Sequence, residues 1–424
     1  MRAHALDVRC PFPLCYPRHA LQQKTMDPST QNRRTWLNGT VIGVGLTSLA
    51  SDWSHEMATA ILPALLLSLG AGPGWLGAIE GVADGLSSFT KLAAGHWTDR
   101  LRRRKPLVVG AYAVTALATG SIAFAGNALE VMIARSTAWL ARGVRTPARK
   151  ALLAAAVPRE AYGRAFGFER MMDTVGAIAA PVTALWLLGA TGHNYRRVLL
   201  WTLVPGLFAA VIFALFVQEK RAEQTSRASF AAGLRNLPVN FRWFLLAVGI
   251  FGLGDFSHTL LILYATRALA PRIGLALAST MAVGFYLLHN VFYAAFAYVG
   301  GWLSDHAPQR KIVLAGGYAL AIAMAALLIS APSNRAVLAA VFALAGTFVG
   351  VNEALEDSMA AELVSTEQHG MAFGTMAAVN AVGDFGSSLI IGLLWSAYSP
   401  TAGFAVAGAL FLAGLVLLVR PRSA

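Results

Sequence analysis

Twelve apolar windows of about 20 residues or more follow one another from Gly39 to the C-terminal end, each long enough to cross a hydrocarbon core of roughly 30 Å. Runs of this length and composition are typical of transmembrane helices. The windows lie at residues 39–69, 74–97, 106–126, 128–157, 165–190, 197–218, 243–268, 274–301, 312–331, 335–362, 371–396 and 402–420. The sequence therefore predicts an all-α membrane protein with twelve transmembrane helices, which we number in chain order.

The composition supports a membrane location. Of the 424 residues, 56% are hydrophobic and only 13% are charged, too few charges for the wettable surface of a soluble globule. The formal net charge of +13 would suggest nucleic-acid binding in a soluble protein. Here the cations gather in the loops, where they set helix orientation and contact anionic lipid. We therefore expect a lipid bilayer around the chain and no nucleic-acid partner.

The basic loops also predict the orientation of the chain. The connection between helices two and three, the turn between four and five, and the segment between six and seven are basic, whereas the opposite loops hold fewer cations. Because basic loops stay cytoplasmic, we place both termini in the cytoplasm and the protein in the inner membrane of a bacterium. Residues 1–38 then form a disordered cytoplasmic tail, where Cys10 and Cys15 are not expected to form a structural disulfide.

Three pairs of motifs recur at nearly constant spacing, which indicates that the chain contains two related halves. The pairs are Gly95-His-Trp-Thr-Asp99 with Gly301-Trp-Leu-Ser-Asp305 at a spacing of 206, Gly163-Arg-Ala-Phe-Gly167 with Gly370-Met-Ala-Phe-Gly374 at 207, and Asp52-Trp-Ser-His55 with Asp255-Phe-Ser-His258 at 203. The polar segment 219–242 lies midway between the copies. We predict a first six-helix bundle at 39–218, a cytoplasmic linker at 219–242 and a second six-helix bundle at 243–420.

The first of these pairs resembles the signature loop of the major facilitator superfamily. That loop follows helices two and eight and contains Gly-x-x-x-Asp, a basic residue and a basic cluster. The first copy has Arg102 where a glycine is common, and the second has His306 after its aspartate. The resemblance implies two pseudo-symmetric bundles, secondary transport and a gating role for the loop. The gating residues that we assign are Gly95, Asp99, Arg100, Arg104, Gly301, Asp305 and Arg310, together with Arg149 near the cytoplasmic end of helix four.

Helix five contains Gly167, Gly176 and then Ala180-Pro181. This arrangement resembles the antiporter motif of the superfamily, in which spaced glycines end in Gly-Pro, although alanine stands here in place of the last glycine. The resemblance favours export. Small residues also allow helices to approach closely, so close packing against a neighbouring helix is the alternative explanation.

Four arginines of helix four, Arg135, Arg142, Arg145 and Arg149, are spaced to lie along one helical stripe. Charged residues in the membrane are costly unless paired or wetted. One interpretation is an internal lattice of ion pairs with carboxylates of helices one, two and five. The other is that Arg142 and Arg145 bind an anionic solute, since guanidinium groups suit carboxylate and phosphate. The carboxylates available to the lattice are Asp52, Glu56, Glu80, Asp84, Glu169 and Asp173.

The second half carries carboxylates inside its helices but hardly a cation near them in sequence. Burial without a counter-charge favours the protonated form of a carboxylic acid, so these residues are candidate proton carriers. Asp255 and Asp384 fall closest to the middle of their helices, with Glu353 next. Glu356, Asp357 and Glu362 are predicted to lie nearer the cytoplasm on a solvated face.

The duplicated Asp-x-x-His suggests an alternative function. A spacing of three puts Asp52 and His55 on one face of helix one, and Asp255 and His258 on one face of helix seven. Two imidazoles and two carboxylates that face each other across a cavity could bind a divalent transition metal, and His289 of helix eight could add a ligand. The alternative prediction is therefore a transporter of divalent transition-metal ions.

The sequence as a whole predicts a proton-coupled exporter of a small organic solute, anionic or zwitterionic, that works as a monomer. The coupling or substrate residues that we assign are Asp52, His55, Glu56, Arg142, Arg145, Asp173, Asp255, His258, Glu353 and Asp384. A membrane enzyme or a receptor on the same fold is a further alternative. The glycines of residues 249–254 lie inside an apolar helix, so a dinucleotide site is not expected there, and we predict no cofactor and no enzymatic activity.

Overall fold

The computed structural model describes residues 36–71, 73–219, 230–330 and 333–420, and these residues contain α-helices and no β-strand. The first half holds α1 (Gly39–Ser68), α2 (Pro73–Arg100), α3 (Lys105–Ser121), α4 (Ala128–Ala156), α5 (Tyr162–Ala190), α6 (Tyr195–Trp201) and α7 (Leu203–Phe216). The rest holds α8 (Phe230–Arg235), α9 (Val239–Gly252), α10 (His258–Ile273), α11 (Leu275–His306), α12 (Arg310–Ile329), α13 (Arg335–Leu363), α14 (His369–Ala397) and α15 (Pro400–Val419). The all-α prediction is confirmed.

The helices fall in the twelve predicted positions, with α6 and α7 sharing the sixth and α9 and α10 sharing the seventh. Within the described residues, eight helical spans are long and apolar enough to cross a membrane by length and composition. The other four positions hold α1, α2 and α4, which carry charged side chains, and the divided pair α9 and α10. The observed helices are consistent with twelve crossings.

Asparagine side chains define several helix starts. Asn38 precedes α1 and accepts hydrogen bonds from the backbone amides of Thr40 and Val41 at 3.0 and 3.1 Å. Its side-chain amide also donates to the carbonyl oxygen of Ala156 at 2.9 Å, which joins the start of α1 to the end of α4. Asn127 caps α4 in the same way. Such caps satisfy backbone amides that have no partner inside the helix.

The sequence predicted one continuous helix at the seventh position, but the structure has two. Helix α9 ends at Gly252, residues 253–257 are not helical, and α10 begins at His258. The hydroxyl of Ser387 donates to the carbonyl oxygen of Asp255 at 2.7 Å, and so satisfies one backbone group that the interruption leaves free. Asp255 and His258 therefore do not share one face of a helix, unlike Asp52 and His55 within α1.

The predicted linker is partly helical. Helix α8 lies inside 219–242 and α9 begins before its end, while residues 220–229 lie outside the described residues. The predictions for the N-terminal tail up to residue 35, including Cys10 and Cys15, also lie outside them. Residues from Trp36 onward form one compact unit, so the division into two halves stays a prediction. We use the terms first half and second half for residues 39–218 and 243–420.

The halves meet where α2 packs against α14 and where α5 packs against α11. Glycine allows both approaches. A Cβ atom added to Gly95 would collide with the carbonyl oxygen of Gly370, and one added to Gly301 would collide with the carbonyl oxygen of Gly163. Each copy of the signature-loop motif therefore contacts, from the other half, a copy of the second repeated motif.

Candidate functional site

The two signature loops follow α2 and α11 and lie at the same end of the helix bundle. We call this end, where Asp99 and Asp305 lie, the basic end. Asp99, in the last turn of α2, accepts hydrogen bonds from the backbone amides of Gly370 and Met371, both at 2.8 Å. These amides lie in the first turn of α14, where backbone donors have no helical partner and the helix dipole favours negative charge. Arg104 lies 3.8 Å from the carboxylate. Asp99 thus joins the first half to the second.

Asp305 makes the reciprocal connection from the second half. Its carboxylate accepts hydrogen bonds from the amides of Gly163 and Arg164, at 2.8 and 2.9 Å, in the first turn of α5. Two guanidinium groups contact the same carboxylate, Arg164 at 2.8 Å and Arg310 at 2.9 Å. Arg310 also pairs with Glu362 at 2.6 Å. The two aspartates therefore hold the halves together at the basic end, Asp305 with more partners than Asp99.

The other residues assigned to gating occupy different surroundings. Arg100 is exposed, and Arg104 donates from Nε to the carbonyl oxygen of Thr98 at 3.1 Å. Arg149 is buried inside the first half, where it lies 2.7 Å from Glu169 and donates to Ser48 at 2.6 Å. Arg149 is thus bonded within one half, whereas Lys150 joins the halves by a contact of 2.6 Å with Asp357.

The arginine stripe of α4 is largely a lattice of ion pairs, the first of the two alternatives. Arg142 lies 2.9 Å from Asp52, and Arg135 lies 3.1 Å from Glu80. Together with the Arg149 pair, these contacts join α4 to α1, α2 and α5. Glu56 is half-buried within electrostatic reach of Arg142, but it forms no ion pair with the described residues.

Arg145 is the exception on the stripe. Its side chain is almost fully buried, yet no carboxylate of the described residues pairs with it. Nη2 donates to Ser51 at 2.9 Å, and the guanidinium lies over the ring of Tyr112, 3.9 Å from its centroid. Nη1 is buried without a hydrogen-bond partner. Arg145 is therefore the stripe arginine without a carboxylate partner in the described residues, and its Nη1 makes no hydrogen bond there.

A further arginine, Arg170, connects the two halves. Arg170 of α5 lies 3.1 Å from Asp173 and 2.8 Å from Glu353 of α13. The hydroxyl of Tyr293 donates a hydrogen bond to the same Glu353 carboxylate. The sequence suggested that Glu353 has no cation nearby. The structure gives it one, Arg170, from the other half of the chain. The same holds for Asp357, and both Glu356 and Asp357 are buried rather than on a solvated face.

A cavity of about 380 Å³ opens in the second half. Asp255 and Asp384 line it, and neither forms an ion pair with the described residues. Tyr286 and His258 stack against each other on its wall, with centroids 4.6 Å apart. The remaining lining residues are Phe256, Ser257, Leu261, His289, Asn290, Tyr293, Met324, Ala345, Phe348, Val349, Glu353 and Ser388. Among the described residues, this wall combines carboxylates with aromatic rings and includes no lysine or arginine.

The two Asp-x-x-His motifs have different environments. His55 is packed against Trp139, with ring centroids 4.9 Å apart, and its Nδ1 lies 3.4 Å from Nη1 of Arg135. Asp52 is already paired with Arg142. His258 faces the second-half cavity instead. Across the described ranges, no group of three or more His, Cys, Asp or Glu side chains is arranged to hold a metal ion. The geometry does not bring the predicted metal ligands together.

Comparison with known proteins identifies the family. A family model described as Major Facilitator Superfamily matches residues 44–288 and 244–424. The chain belongs to this superfamily. An uncharacterized MFS-type transporter of Methanocaldococcus jannaschii is 29% identical over 397 residues, which are 93% of this chain and 98% of that protein.

Solved structures of this superfamily show the same fold. The transporter FucP in the outward conformation has a TM-score of 0.73 at 16% identity, covering 90% of this chain and 98% of FucP. The human organic anion transporter MFSD10 (TETRAN) has a TM-score of 0.72 at 17% identity, covering 93% of this chain and 100% of that protein. The family match and the apolar spans together show a multi-pass membrane transporter of the superfamily, which confirms the expectation that the chain is not an enzyme.

Sequence reasoning missed three contributors to the candidate site. Arg170, Tyr286 and Tyr293 were not assigned, although Arg170 is a charged residue inside a predicted span and so carried the signal that we used for α4. The tyrosines carried no comparable signal, because aromatic residues are common in apolar helices. Their importance follows from contacts with Glu353 and His258, which only the fold brings about.

Proposed function

We propose that this transporter exports a small anionic or zwitterionic organic solute in exchange for protons, in a bacterial inner membrane with both termini cytoplasmic. The observation that carries the proposal is the pair Asp255 and Asp384. Both line a cavity between helices and neither is matched by a cation at ion-pair distance in the described residues. Ionisable residues without partners inside a membrane protein are costly, and they often mark proton and solute pathways.

The cross-half ion pairs supply a reason for coupling. Glu353 and Asp357 receive their cations, Arg170 and Lys150, from the first half. If the halves rock against each other as the superfamily's bundles do, these contacts separate while pairs inside one half persist. A carboxylate that loses its cation in a low dielectric gains affinity for a proton. Separation of the halves at the basic end would then favour proton uptake by Glu353 and Asp357.

Arg145 is the residue that favours an anionic group on the solute. Its free Nη1 offers one charge-assisted hydrogen bond, and it is the arginine of α4 with no carboxylate to satisfy it among the described residues. Arg142 is less suited, because Asp52 already occupies it at 2.9 Å. An anionic group that reached Arg145 would complete the pattern of ion pairs on the stripe.

The direction of transport rests on the resemblance of α5 to the antiporter motif. The glycines of that motif also have a packing role, since a Cβ atom at Gly176 would collide with the carbonyl oxygen of Leu49, and one at Gly167 with that of Ala297. Export is therefore proposed from the resemblance, and close packing explains why glycine stands at both positions.

Flux measurements in proteoliposomes test the proposal. Vesicles with the purified protein and a pH-sensitive dye inside are exposed to a panel of amino acids and organic acids under an imposed pH gradient. We expect at least one solute to move against its gradient and to change the internal pH. Asp255→Asn should abolish this pH-driven flux and preserve exchange at equal pH when the solute is saturating, and Glu160→Gln, at an exposed carboxylate between α4 and α5, should behave as wild type. Wild-type pH-driven flux from Asp255→Asn would eliminate the coupling assignment.

A further inference from the structure

We propose that the second-half cavity binds a protonated amino group attached to an aromatic or apolar body, so that the solute is a zwitterion rather than a simple anion. The inference rests on the proposed function in that it assumes an organic solute is transported. It adds the chemistry of the cavity formed by α11, α12, α13, α14 and residues around the interruption between α9 and α10.

The charge of the cavity is the first argument. Three carboxylates line it, and only Glu353 has a cation at ion-pair distance in the described part of the chain, from Arg170. Lys91 of α2 is within electrostatic reach of Asp384 but does not pair with it. Asp384 is exposed to the open cavity. The cavity therefore keeps two carboxyl groups without a cation, and a positive ligand group would stabilise their ionised form.

The aromatic wall is an independent argument. The rings of His258 and Tyr286 are stacked at 15°, and Tyr286 is also stacked with His289 at 22° and a centroid distance of 5.6 Å. Aromatic faces attract ammonium groups, and they offer apolar contact to a ring or hydrocarbon chain. A ligand with only a charge and no apolar body would leave this wall unused.

His289 adds a buried polar group to the same wall. Only 6% of its surface is exposed, and Nδ1 lies 3.4 Å from the side-chain oxygen of Asn290. His289 thus adds a polar ring to the aromatic wall of the cavity.

Two other ligand classes fit the cavity less well. A free anion would meet three carboxylates and no lining lysine or arginine. A bare metal ion would need several ligands at short range, and the described residues hold no group of three suitable side chains. A solute with an amine at one end and an acid at the other would satisfy the carboxylates here and Arg145 in the first half. Glu56 of α1 lies within electrostatic reach of Tyr286, so this wall faces the first half.

Calorimetric titration of the purified full-length protein in lipid nanodiscs tests the inference. The probes are phenethylamine and phenylacetate, which share an aromatic ring and differ in the sign of their charge. Wild type should bind phenethylamine, and Asp255→Asn or Asp384→Asn should each weaken this binding by about tenfold or more, since each removes a charge-assisted contact. Tyr286→Leu should weaken it by a few fold by removing the π-face. Glu160→Gln and empty nanodiscs are the controls.

The result that overturns the inference is phenethylamine binding that is absent, or equal in wild type and in both aspartate variants. Two single variants are used so that a folding defect in one leaves the other informative. Phenylacetate binding should not fall in Asp255→Asn, because the anion would use Arg145. If phenylacetate drives proton-coupled flux but phenethylamine does not bind, the proposed function stands and the amine site is wrong. If phenethylamine binds as expected but no solute changes internal pH, the cavity assignment stands and proton coupling is wrong.

Discussion

The two halves differ in how their buried charged residues are paired. In the first half, three of the four stripe arginines meet a carboxylate from the same half, as Arg149 does with Glu169 at 2.7 Å. In the second half, Asp255 and Asp384 meet no cation at ion-pair distance within the described residues, and Glu353 meets one only from the first half. The first half thus contains a lattice of ion pairs among its own residues. The carboxylates that line the cavity of the second half are unpaired or take their cation from the first half.

Ion pairs inside one half and ion pairs across the halves should respond differently when the halves move against each other. An ion pair inside one half keeps its geometry during a rigid-body rotation, so it contributes equally to each state. A pair across the halves, such as Lys150 with Asp357, is present in this structure, where the basic end is closed, and we expect it to be lost when that end opens. Only contacts that differ between two states can bias their equilibrium. We therefore propose that the first-half lattice stabilises the fold and that the second-half carboxylates couple transport to protons.

The largest expected effect on stability is that of Arg149→Gln. It leaves the carboxylate of Glu169, which is 2% exposed, without its cation, and breaking a buried pair in this way costs about 3–5 kcal/mol. The measurement is the free energy or midpoint temperature of unfolding in detergent. The double variant with Glu169→Gln should recover much of the loss. An Arg149→Gln protein that unfolds like wild type would contradict the lattice.

A smaller loss of stability is expected at the basic end, where Asp99 caps the start of α14 and Asp305 caps the start of α5. The two caps differ in the number of their partners. Asp305→Asn removes the negative charge from two backbone amides and two arginines, whereas Asp99→Asn affects two amides and one arginine at 3.8 Å. Hydrogen bonds to charged groups contribute about 1.5–3 kcal/mol, so we expect a loss of about 2 kcal/mol for Asp305→Asn and about half of that for Asp99→Asn.

Both cap variants should insert normally and transport more slowly, because the state with a closed basic end is weakened in each. The two variants are matched controls for one another, since each changes one carboxylate to an amide of the same shape. Full transport by both would leave the loop residues as topology signals only. A larger melting shift for Asp99→Asn than for Asp305→Asn would contradict the ranking by number of partners.

The sequence predicted most of the architecture because membrane helices leave strong signals. Window length gave helix positions within a few residues at most ends, and the repeated glycines and aspartates gave the residues that touch across the halves. The interruption at residues 253–257 was missed, since no proline marks it and the hydrogen bonds that it forms with Ser387 and Ser388 of α14 come from distant sequence.

Pairing across the halves could not be predicted in the same way. The partners Arg170 and Glu353 are 183 positions apart and share no motif, so no sequence pattern joins them. Conversely, the duplicated Asp-x-x-His suggested equivalent sites, but one copy lies in a continuous helix next to arginines and the other lies at a helix break. The two similar motifs have different environments because their neighbours on other helices differ.

Arg145→Gln should affect stability less than Arg149→Gln, although both arginines lie on the same stripe. Arg145 has no carboxylate to leave behind, and removal of a buried unpaired cation offsets the loss of the Ser51 hydrogen bond and the Tyr112 contact. We expect a change within about 1 kcal/mol. Affinity for an anionic or zwitterionic solute should fall about tenfold, as loss of one charge-assisted hydrogen bond implies. A large melting drop with unchanged affinity would make Arg145 a lattice member.

The smallest change in stability is expected for Asp384→Asn. Its carboxylate is exposed to the cavity and pairs with no cation within the described residues, so an isosteric amide removes no contact that the folded state depends on. Substitutions at exposed sites are usually within about 0.5 kcal/mol, and we expect an unfolding midpoint close to that of wild type. Flux driven by a pH gradient should nevertheless fall, because an amide cannot take up and release the proton. Stability and flux should thus respond differently in the two halves: Arg149→Gln lowers both through folding, and Asp384→Asn lowers flux alone. If Asp384→Asn lowered the unfolding midpoint as much as Arg149→Gln does, the second half would contain a charge lattice of its own, and the assignment of coupling to its unpaired carboxylates would fail.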